Sequence, residues 1–303
     1  MTEDQTTQAP PVRTFVRALR ENYLSIVPHP DLDDRVAAVQ DLDVPACFPE
    51  RTIRVRAYWP RGSSGMPLPI IVFAHGGGFV SGSLETHDVL VRALANRTGA
   101  MVLSVDYRLA PEHPFPAGLE DVFAVIEWAA ADRLAGADPD RLAVCGDSAG
   151  GNLVAAAAML ARDCGGPAIR AQLLLYPGVS RMDSVPWDAF GPPQSAGGTV
   201  QHYIFEAYAE GRIHPFNPLV APLLGHHSAL PPTQIVVGEY DPFKDDCLAY
   251  AGTLVDAGVE AQCVVYPGQH HGFVQFWTDR SDNPIGETAL DEGAKFLRKH
   301  LRH

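Results

Sequence analysis

Residues 146–150 read Gly-Asp-Ser-Ala-Gly, a G-x-S-x-G motif that lies between two apolar runs. The run before it, Leu142–Cys145, has the pattern of a buried strand, and Asn152–Arg162 after it has the Ala-rich composition of a helix. A serine in a sharp strand-to-helix turn needs strained backbone angles, and flanking glycines leave room for that turn. The bare motif also arises by chance, so its strand-helix context carries the prediction. Ser148 is the candidate nucleophile, at the carboxyl end of a sheet where ligands bind.

Strand-like and helix-like segments alternate from about residue 50 onward. The predicted strands are Ile53–Trp59, Pro69–Ala74, Met101–Val105, Leu142–Cys145, Leu173–Tyr176, Gln234–Val237 and Gln262–Tyr266. The predicted helices are Asp88–Arg97, Leu119–Ala131, Asn152–Arg162, Cys247–Ala257 and Glu287–Leu301. This alternation predicts an α/β fold, with a mainly parallel, doubly wound sheet flanked by helices on both faces. The first predicted strand has an alternating pattern, which is compatible with an antiparallel edge.

Two regions interrupt this alternation, residues 1–45 and residues 180–225. In the first, an amphipathic helix is marked by Phe15, Leu19, Tyr23 and Ile26, and a second helix is considered at Val36–Val39. The second region is rich in Pro, Gly and aromatic residues, and a short helix is predicted there over Gln201–Glu210; its aromatic residues are Trp187, Phe190, Tyr203, Phe205, Tyr208 and Phe216. They are either peripheral additions or, as we favour, a lid over one end of the sheet. We therefore predict a core over 46–179 and 226–303, with a helical cap from 1–45 and 180–225.

A glycine-rich loop, His75-Gly76-Gly77-Gly78-Phe79, directly follows the predicted strand Pro69–Ala74. Glycines let backbone N–H groups approach and point at an oxyanion, and loops of the H-G-G-G type do so in lipases and esterases. The predicted donors are Gly77, Gly78 and Ala149, and Gly76 is a further candidate. His75 is expected to hold the loop rather than act as a base. A phosphate-binding loop is the rival interpretation, but neither G-x-G-x-x-G nor a P-loop motif occurs.

The order of a triad in this type of fold is serine, then acid, then histidine. His270 and His271 follow the last predicted strand, and we favour His271 as the base, with His270 as a surface residue. Asp241, which follows the strand Gln234–Val237, is the predicted acid. Its rivals are Glu239, Asp245 and Asp246, and Asp241 could instead serve only as an Asx-Pro turn residue.

Composition argues against several classes of protein. The chain has 303 residues and a formal net charge of −13, which disfavours binding to nucleic acid. No apolar run is long enough to span a membrane, and the first residues lack the pattern of a signal peptide, so we expect a soluble, cytoplasmic protein. No H-E-x-x-H motif occurs, and adjacent histidine pairs diverge, so no metal site is expected. The sequence leaves open whether the protein is a homodimer.

With these residues in place, the chain resembles the hormone-sensitive-lipase family of esterases, in its bacterial branch with a G-D-S-A-G motif. The matching stretches are His75–Ser83, Asp106–Ala117, Gly146–Asn152, Asp241-Pro242 with Asp245, and His271-Gly272-Phe273. The resemblance implies the α/β-hydrolase fold, a serine carboxylesterase acting on short- to medium-chain acyl esters without a cofactor, and a cap built from the two interrupting regions. One departure is Phe243-Lys244, where a Leu-Arg pair is more usual.

Two other functions remain compatible with the sequence. The first is a small-ligand receptor on the same fold that has lost catalysis, although such receptors lack a complete triad. The second is a hydrolase of another acyl bond, in an amide, lactone or carbonate, because the same triad serves all acyl transfers.

Overall fold

A computed structural model describes residues 11–27, 35–47, 49–62, 65–131, 133–180, 204, 207–209, 213–214, 216–276 and 284–302. Within these residues, the strands form one eight-stranded sheet in the order β1-β2-β4-β3-β5-β6-β7-β8. The strands are β1 (Ala38–Cys47), β2 (Glu50–Trp59), β3 (Leu68–Ala74), β4 (Met101–Val105), β5 (Ala137–Asp147), β6 (Gln172–Leu175), β7 (Thr233–Gly238) and β8 (Ala261–Tyr266).

The sheet is parallel from β4 across to β8, and antiparallel where β2 pairs with β1 and with β4. The expected doubly wound α/β architecture is confirmed. Its centre is fully covered, since Val72 of β3 pairs with Leu103 of β4 and with Val144 of β5, and all three are inaccessible to solvent. Strands buried on both faces explain the unbroken apolar runs in the sequence.

Two predictions about the first part of the chain are corrected. The helix considered at Val36–Val39 is wrong, because Ala38–Cys47 is a strand that pairs along its whole length with β2. Residues 38–45 of the predicted N-terminal cap segment therefore belong to the sheet. The predicted strand Ile53–Trp59 is antiparallel as expected, but it is not the edge, because β1 lies outside it.

Helices cover both faces of the sheet. The described helices are α1 (Pro11–Ile26), α2 (Asp88–Thr98), α3 (Ala117–Ala130), α4 (Ala149–Asp163), α5 (Lys244–Asp256) and α6 (Pro284–His300). Helix α2 packs against α6, and α3 packs against α4. Helix α4 is buried at nearly every position, and its alanines let the helix backbone approach the sheet closely. Helix α2 ends at Gly99, whose left-handed conformation (φ 67°) lets its N–H cap the carbonyl of Ala95.

Helix α1 lies over the carboxyl ends of the strands and is fastened there by Arg20. The Arg20 guanidinium donates to the carbonyls of Val80 (2.6 Å) and Ala110 (2.9 Å) and pairs with Glu112 at 2.7 Å. None of the helices in the described residues is both long and apolar enough to cross a membrane. The helix predicted over Gln201–Glu210 lies mostly outside the described residues; Trp187, Phe190, Tyr203 and Phe205 lie outside them entirely.

Candidate active site

Ser148 occupies the turn between β5 and α4, as the motif predicts. Its backbone has φ 51° and ψ −116°, a conformation that costs a non-glycine residue about 1–3 kcal/mol. The turn is held by the Ser148 N–H, which donates to the carbonyl of Leu175 at 2.8 Å. A Cβ atom on Gly150 would lie 2.0 Å from the carbonyl oxygen of Ala74, so this position requires glycine for close packing against β3.

Three side chains from three different strand ends form a continuous hydrogen-bonded line. His271 Nε2 lies 2.9 Å from Ser148 Oγ, and His271 Nδ1 lies 2.9 Å from Asp241 Oδ2. Asp241 is buried, with 5% of its surface exposed, whereas Ser148 and His271 are partly accessible. A buried carboxylate against Nδ1 fixes the ring so that Nε2 faces the hydroxyl.

Asp241 is held by its own loop as well as by His271. Its second carboxylate oxygen, Oδ1, accepts the N–H of Phe243 at 2.9 Å. Two of the three rival acids are engaged elsewhere: Glu239 accepts the N–H of Gly268, and Asp246 accepts the hydroxyl of Ser180. The third, Asp245, has a side chain that is 92% exposed. The geometry thus separates Asp241 from the neighbouring carboxylates.

The two adjacent histidines point in different directions. His270 is exposed and its ring lies against Tyr240, with 5.3 Å between centroids. His271 is packed edge-on between Tyr176 (5.0 Å) and Phe243 (5.3 Å). Gly272, which follows it, has φ 85°, a conformation suited to glycine that turns the chain directly after the ring.

The glycine-rich loop lies beside Ser148. Gly77 has φ 123° and Gly78 has φ 63°, and no described residue accepts a hydrogen bond from either N–H or from that of Ala149. The Gly76 N–H, by contrast, donates to Asp147 Oδ1 at 2.7 Å. That amide is already used, so Gly76 does not join the candidate donors.

His75 has the environment of a structural residue. Its ring is buried and stacked on Tyr107 at 4.3 Å, and Nδ1 lies 2.8 Å from the carbonyl oxygen of Gly76. Burial, reinforced by the neighbouring His87, lowers the pKa of His75 to about 3. A ring that stays neutral and does not reach Ser148 supports the loop rather than accepting a proton.

A cavity of about 400 Å³ opens over Ser148 and His271. Most of its wall is apolar. The wall includes residues of α1 and of the sheet end and one residue of the second interrupting region, Ile204; its other apolar residues include Leu19, Tyr23, Ile26, Phe79 and Phe276. Among the described residues, no group of three or more His, Cys, Asp or Glu side chains is arranged to hold a metal ion.

Sequence reasoning missed Tyr176 and Gln275, which line this cavity, and His87, which contacts a residue of its lining. Tyr176 accepts the N–H of Gln275 at 3.0 Å and packs on His271; Gln275 in turn accepts the hydroxyl of Tyr23 at 2.7 Å. His87 contacts Asp147, the residue before Ser148. None of the three stands in a recognisable motif, so only their position in the fold reveals them.

Comparisons with known proteins find similar sequences and structures over most of this chain. A family model described as the alpha/beta hydrolase fold matches residues 71–275. Carboxylesterase NlhH of Mycobacterium tuberculosis is 42% identical over 233 residues, which cover 74% of this chain and 72% of that protein. Esterase LipI of the same organism is 40% identical over 253 residues, which cover 82% and 77%.

A solved structure is similar over nearly the whole chain. It is that of EstE1, a thermophilic and thermostable carboxylesterase cloned from a metagenomic library, with a TM-score of 0.83 and 35% identity over 96% of this chain and 98% of that one. The chain belongs to the α/β-hydrolase fold family, in the group that resembles hormone-sensitive lipase.

Proposed function

We propose that this protein hydrolyses carboxylic esters, with Ser148 as nucleophile, His271 as base and Asp241 as the acid of the triad. The observation that carries the proposal is the pair of 2.9 Å contacts joining the three side chains at the floor of an apolar cavity. Relatives named as carboxylesterases and esterases, 40–42% identical to this chain, support the same reaction.

The proposed reaction has two matching halves. Ser148 Oγ attacks the acyl carbon while its proton moves to His271 Nε2, and the oxyanion collapses as the alcohol oxygen leaves with that proton. The acyl group is then bound to Ser148 as an ester. Water attacks it with the same help from His271 and releases the carboxylic acid and the free serine. Asp241 holds the ring and stabilises its charged form in both halves.

The oxyanion is proposed to bind the N–H groups of Gly77, Gly78 and Ala149. This assignment rests on their position beside Ser148 and on the absence of another acceptor among the described residues. Removing one such donor from a hydrolase typically lowers kcat by about 10²–10³, so this loop carries a large share of the expected rate.

The cavity supports a substrate of limited size. A volume of about 400 Å³ with apolar walls suits an ester with a short- to medium-chain acyl group. Part of its wall comes from Tyr23 of α1 and from Ile204, so we propose that residues 1–37 and 180–225 act as the cap over a core of 38–179 and 226–303.

The five cysteines are free, which supports a cytoplasmic location.

The proposal is tested with p-nitrophenyl esters from acetate to palmitate, with S148A as the control. We expect turnover to peak at short or medium chains and to vanish in S148A. Turnover that survives in S148A would remove Ser148 from the mechanism, and no turnover on any ester would favour a receptor. Comparing turnover of the best ester with turnover of the matching amide tests whether another acyl bond is preferred. Light scattering measures the molar mass in solution and tests whether the protein is a homodimer.

A further inference from the structure

A second histidine–aspartate pair lies beside the glycine-rich loop, apart from the triad. His87, directly before α2, and Asp147, directly before Ser148, are each only 1% exposed. His87 Nε2 lies 3.2 Å from Asp147 Oδ1 and 3.3 Å from Oδ2. A buried carboxylate is costly unless it is hydrogen-bonded, so this contact stabilises Asp147 at its position.

The same carboxylate holds the glycine-rich loop. The Gly76 N–H donates to Asp147 Oδ1 at 2.7 Å, and His87 Nε2 lies farther from the Gly76 nitrogen, at 3.3 Å. A carboxylate only accepts, so Nε2 of His87 faces it with its proton. A Cβ atom on Gly76 would lie 2.4 Å from Asp147 Oδ2, which shows how closely the carboxylate packs on the loop.

The ring of His87 is itself fixed on its other side. Nδ1, the unprotonated nitrogen when Nε2 carries the proton, lies 2.8 Å from Thr86 Oγ1. That oxygen accepts the N–H of Ser83 at 2.9 Å and lies 3.0 Å from the Ser83 carbonyl oxygen. The Thr86 carbonyl accepts from Gln275 Nε2 at 3.3 Å, which connects this cluster to the loop that carries His271. His87 therefore occupies the point where the glycine-rich loop, the nucleophile turn and the base loop meet.

We propose that His87 is a positioning residue for the oxyanion hole, acting through Asp147 on Gly76. The inference rests on the proposed function, since it assumes that Gly77 and Gly78 donate to the oxyanion. Gly76 directly precedes these two donors, so the peptide held by Asp147 sets the direction of the next N–H groups. Useful donors must lie within about 2.7–3.1 Å of the oxyanion, and a small rotation of the loop removes that contact.

The test compares two amide side chains that differ in reach. The amide of Gln at position 87 reaches the place of Nε2 and can donate to Asp147, whereas that of Asn reaches only the place of Nδ1. We expect H87N to lower kcat by about 10- to 100-fold with KM within about threefold, and H87Q to recover most of the loss. Binding of an aryl trifluoromethyl ketone, which forms a tetrahedral adduct with serine, should weaken in parallel with kcat.

A matched control lies outside the site. His227 is also a buried histidine, bonded through Nε2 to the carbonyl of Pro222 at 2.9 Å. We expect H227Q to lower the melting temperature without changing kcat, which separates general destabilisation from loss of positioning. If H87N does not fold, T86V removes the partner of Nδ1 and should lower kcat about three- to tenfold with KM unchanged.

Each outcome decides the inference. Unchanged kcat in H87N, or in T86V if that variant replaces it, would overturn it. Equal losses of kcat in H87N and H87Q would also overturn it, because a merely structural role would not distinguish the two amides. A loss of activity that appears only as a higher KM would overturn it as well. Failure of the proposed function looks different, since the wild type would then be inactive on esters or S148A would stay active.

Discussion

Asp241→Asn is the substitution that tests the triad most sharply, because it keeps the shape of the side chain and replaces one accepting oxygen with a donating NH₂ group. In the wild type, Oδ1 accepts the N–H of Phe243 and Oδ2 faces His271 Nδ1, each at 2.9 Å. Asparagine can satisfy both neighbours only with its oxygen toward Phe243 and its NH₂ toward Nδ1. In that arrangement the ring proton is on Nε2 of His271, so this nitrogen cannot accept the proton of Ser148.

The loss can be estimated from two costs. The first cost comes from restoring the histidine tautomer with its proton on Nδ1, which requires the introduced amide to turn its oxygen toward Nδ1. The amide NH₂ then faces the Phe243 N–H, and a buried donor without an acceptor costs about 1–3 kcal/mol. The carboxylate charge next to the imidazolium is also lost, about 4 kcal/mol for charges 4 Å apart at an effective dielectric of 20. Together these predict a fall in kcat on the order of 10⁴–10⁵.

The assay is steady-state turnover of the best p-nitrophenyl ester, with S148A as background and the urea midpoint as a check on folding. We expect KM to change little, because Asp241 does not line the cavity. Asp245→Asn is the matched control, since that side chain is 92% exposed and should keep full activity. Activity of D241N within about tenfold of the wild type would refute the reasoning. A loss of turnover of that size in E239Q or D246N would instead make that residue the acid of the triad.

Three further predictions concern the cavity, the packing and the pH dependence. Phe243→Ala removes an aromatic side chain from the cavity wall and leaves room for a longer acyl chain. Each methylene that becomes buried there contributes ~0.8 kcal/mol, so the ratio of kcat/KM for the octanoate ester to that for the acetate ester should rise by up to about fourfold per methylene. An unchanged ratio would place the acyl chain elsewhere. Gly150→Ala forces a Cβ atom onto the carbonyl of a strand and should lower the melting temperature sharply. Gly252→Ala, in open space on α5, is the control and should stabilise the folded protein by about 0.5–1 kcal/mol. Similar shifts in melting temperature for both variants would contradict the packing. The hydrogen bond from Arg20 holds the pKa of Glu112 below its ordinary value, so this pair stabilises the fold fully above about pH 4.3 and loses that contribution as pH falls through the lowered pKa. Glu112→Gln should flatten the acid side of a plot of melting temperature against pH, and an unaltered plot would mean that the pair adds nothing.

The central strands and helices could be predicted because their residues are buried on one or both faces and therefore carry a clear pattern. Strand β1 was missed for the opposite reason. Most of its residues are exposed, only Val44 and Ala46 are buried, and Pro45 is uncommon within a strand. An edge strand held mainly by backbone pairing with β2 leaves little trace in composition.

The candidate site divides in the same way. Ser148 and Gly77 stand in local motifs, and Asp241 and His271 each follow a strand, so chain order alone predicts that they meet. His87 and Gln275 lie 60 and 189 residues from the partners they contact, Asp147 and Thr86. Contacts of that kind depend on how the loops pack at the end of the sheet, and no spacing rule in the sequence describes them.

The left-handed backbone of Ser148 has a consequence for how this protein can change over generations. Replacing the serine with glycine would relieve a strain of about 1–3 kcal/mol, so the inactive chain should melt at a higher temperature than the active one. Stability and activity therefore oppose each other at this residue. In a lineage released from the need for catalysis, the nucleophile is a position where selection for a stable fold would by itself favour the loss of the enzyme.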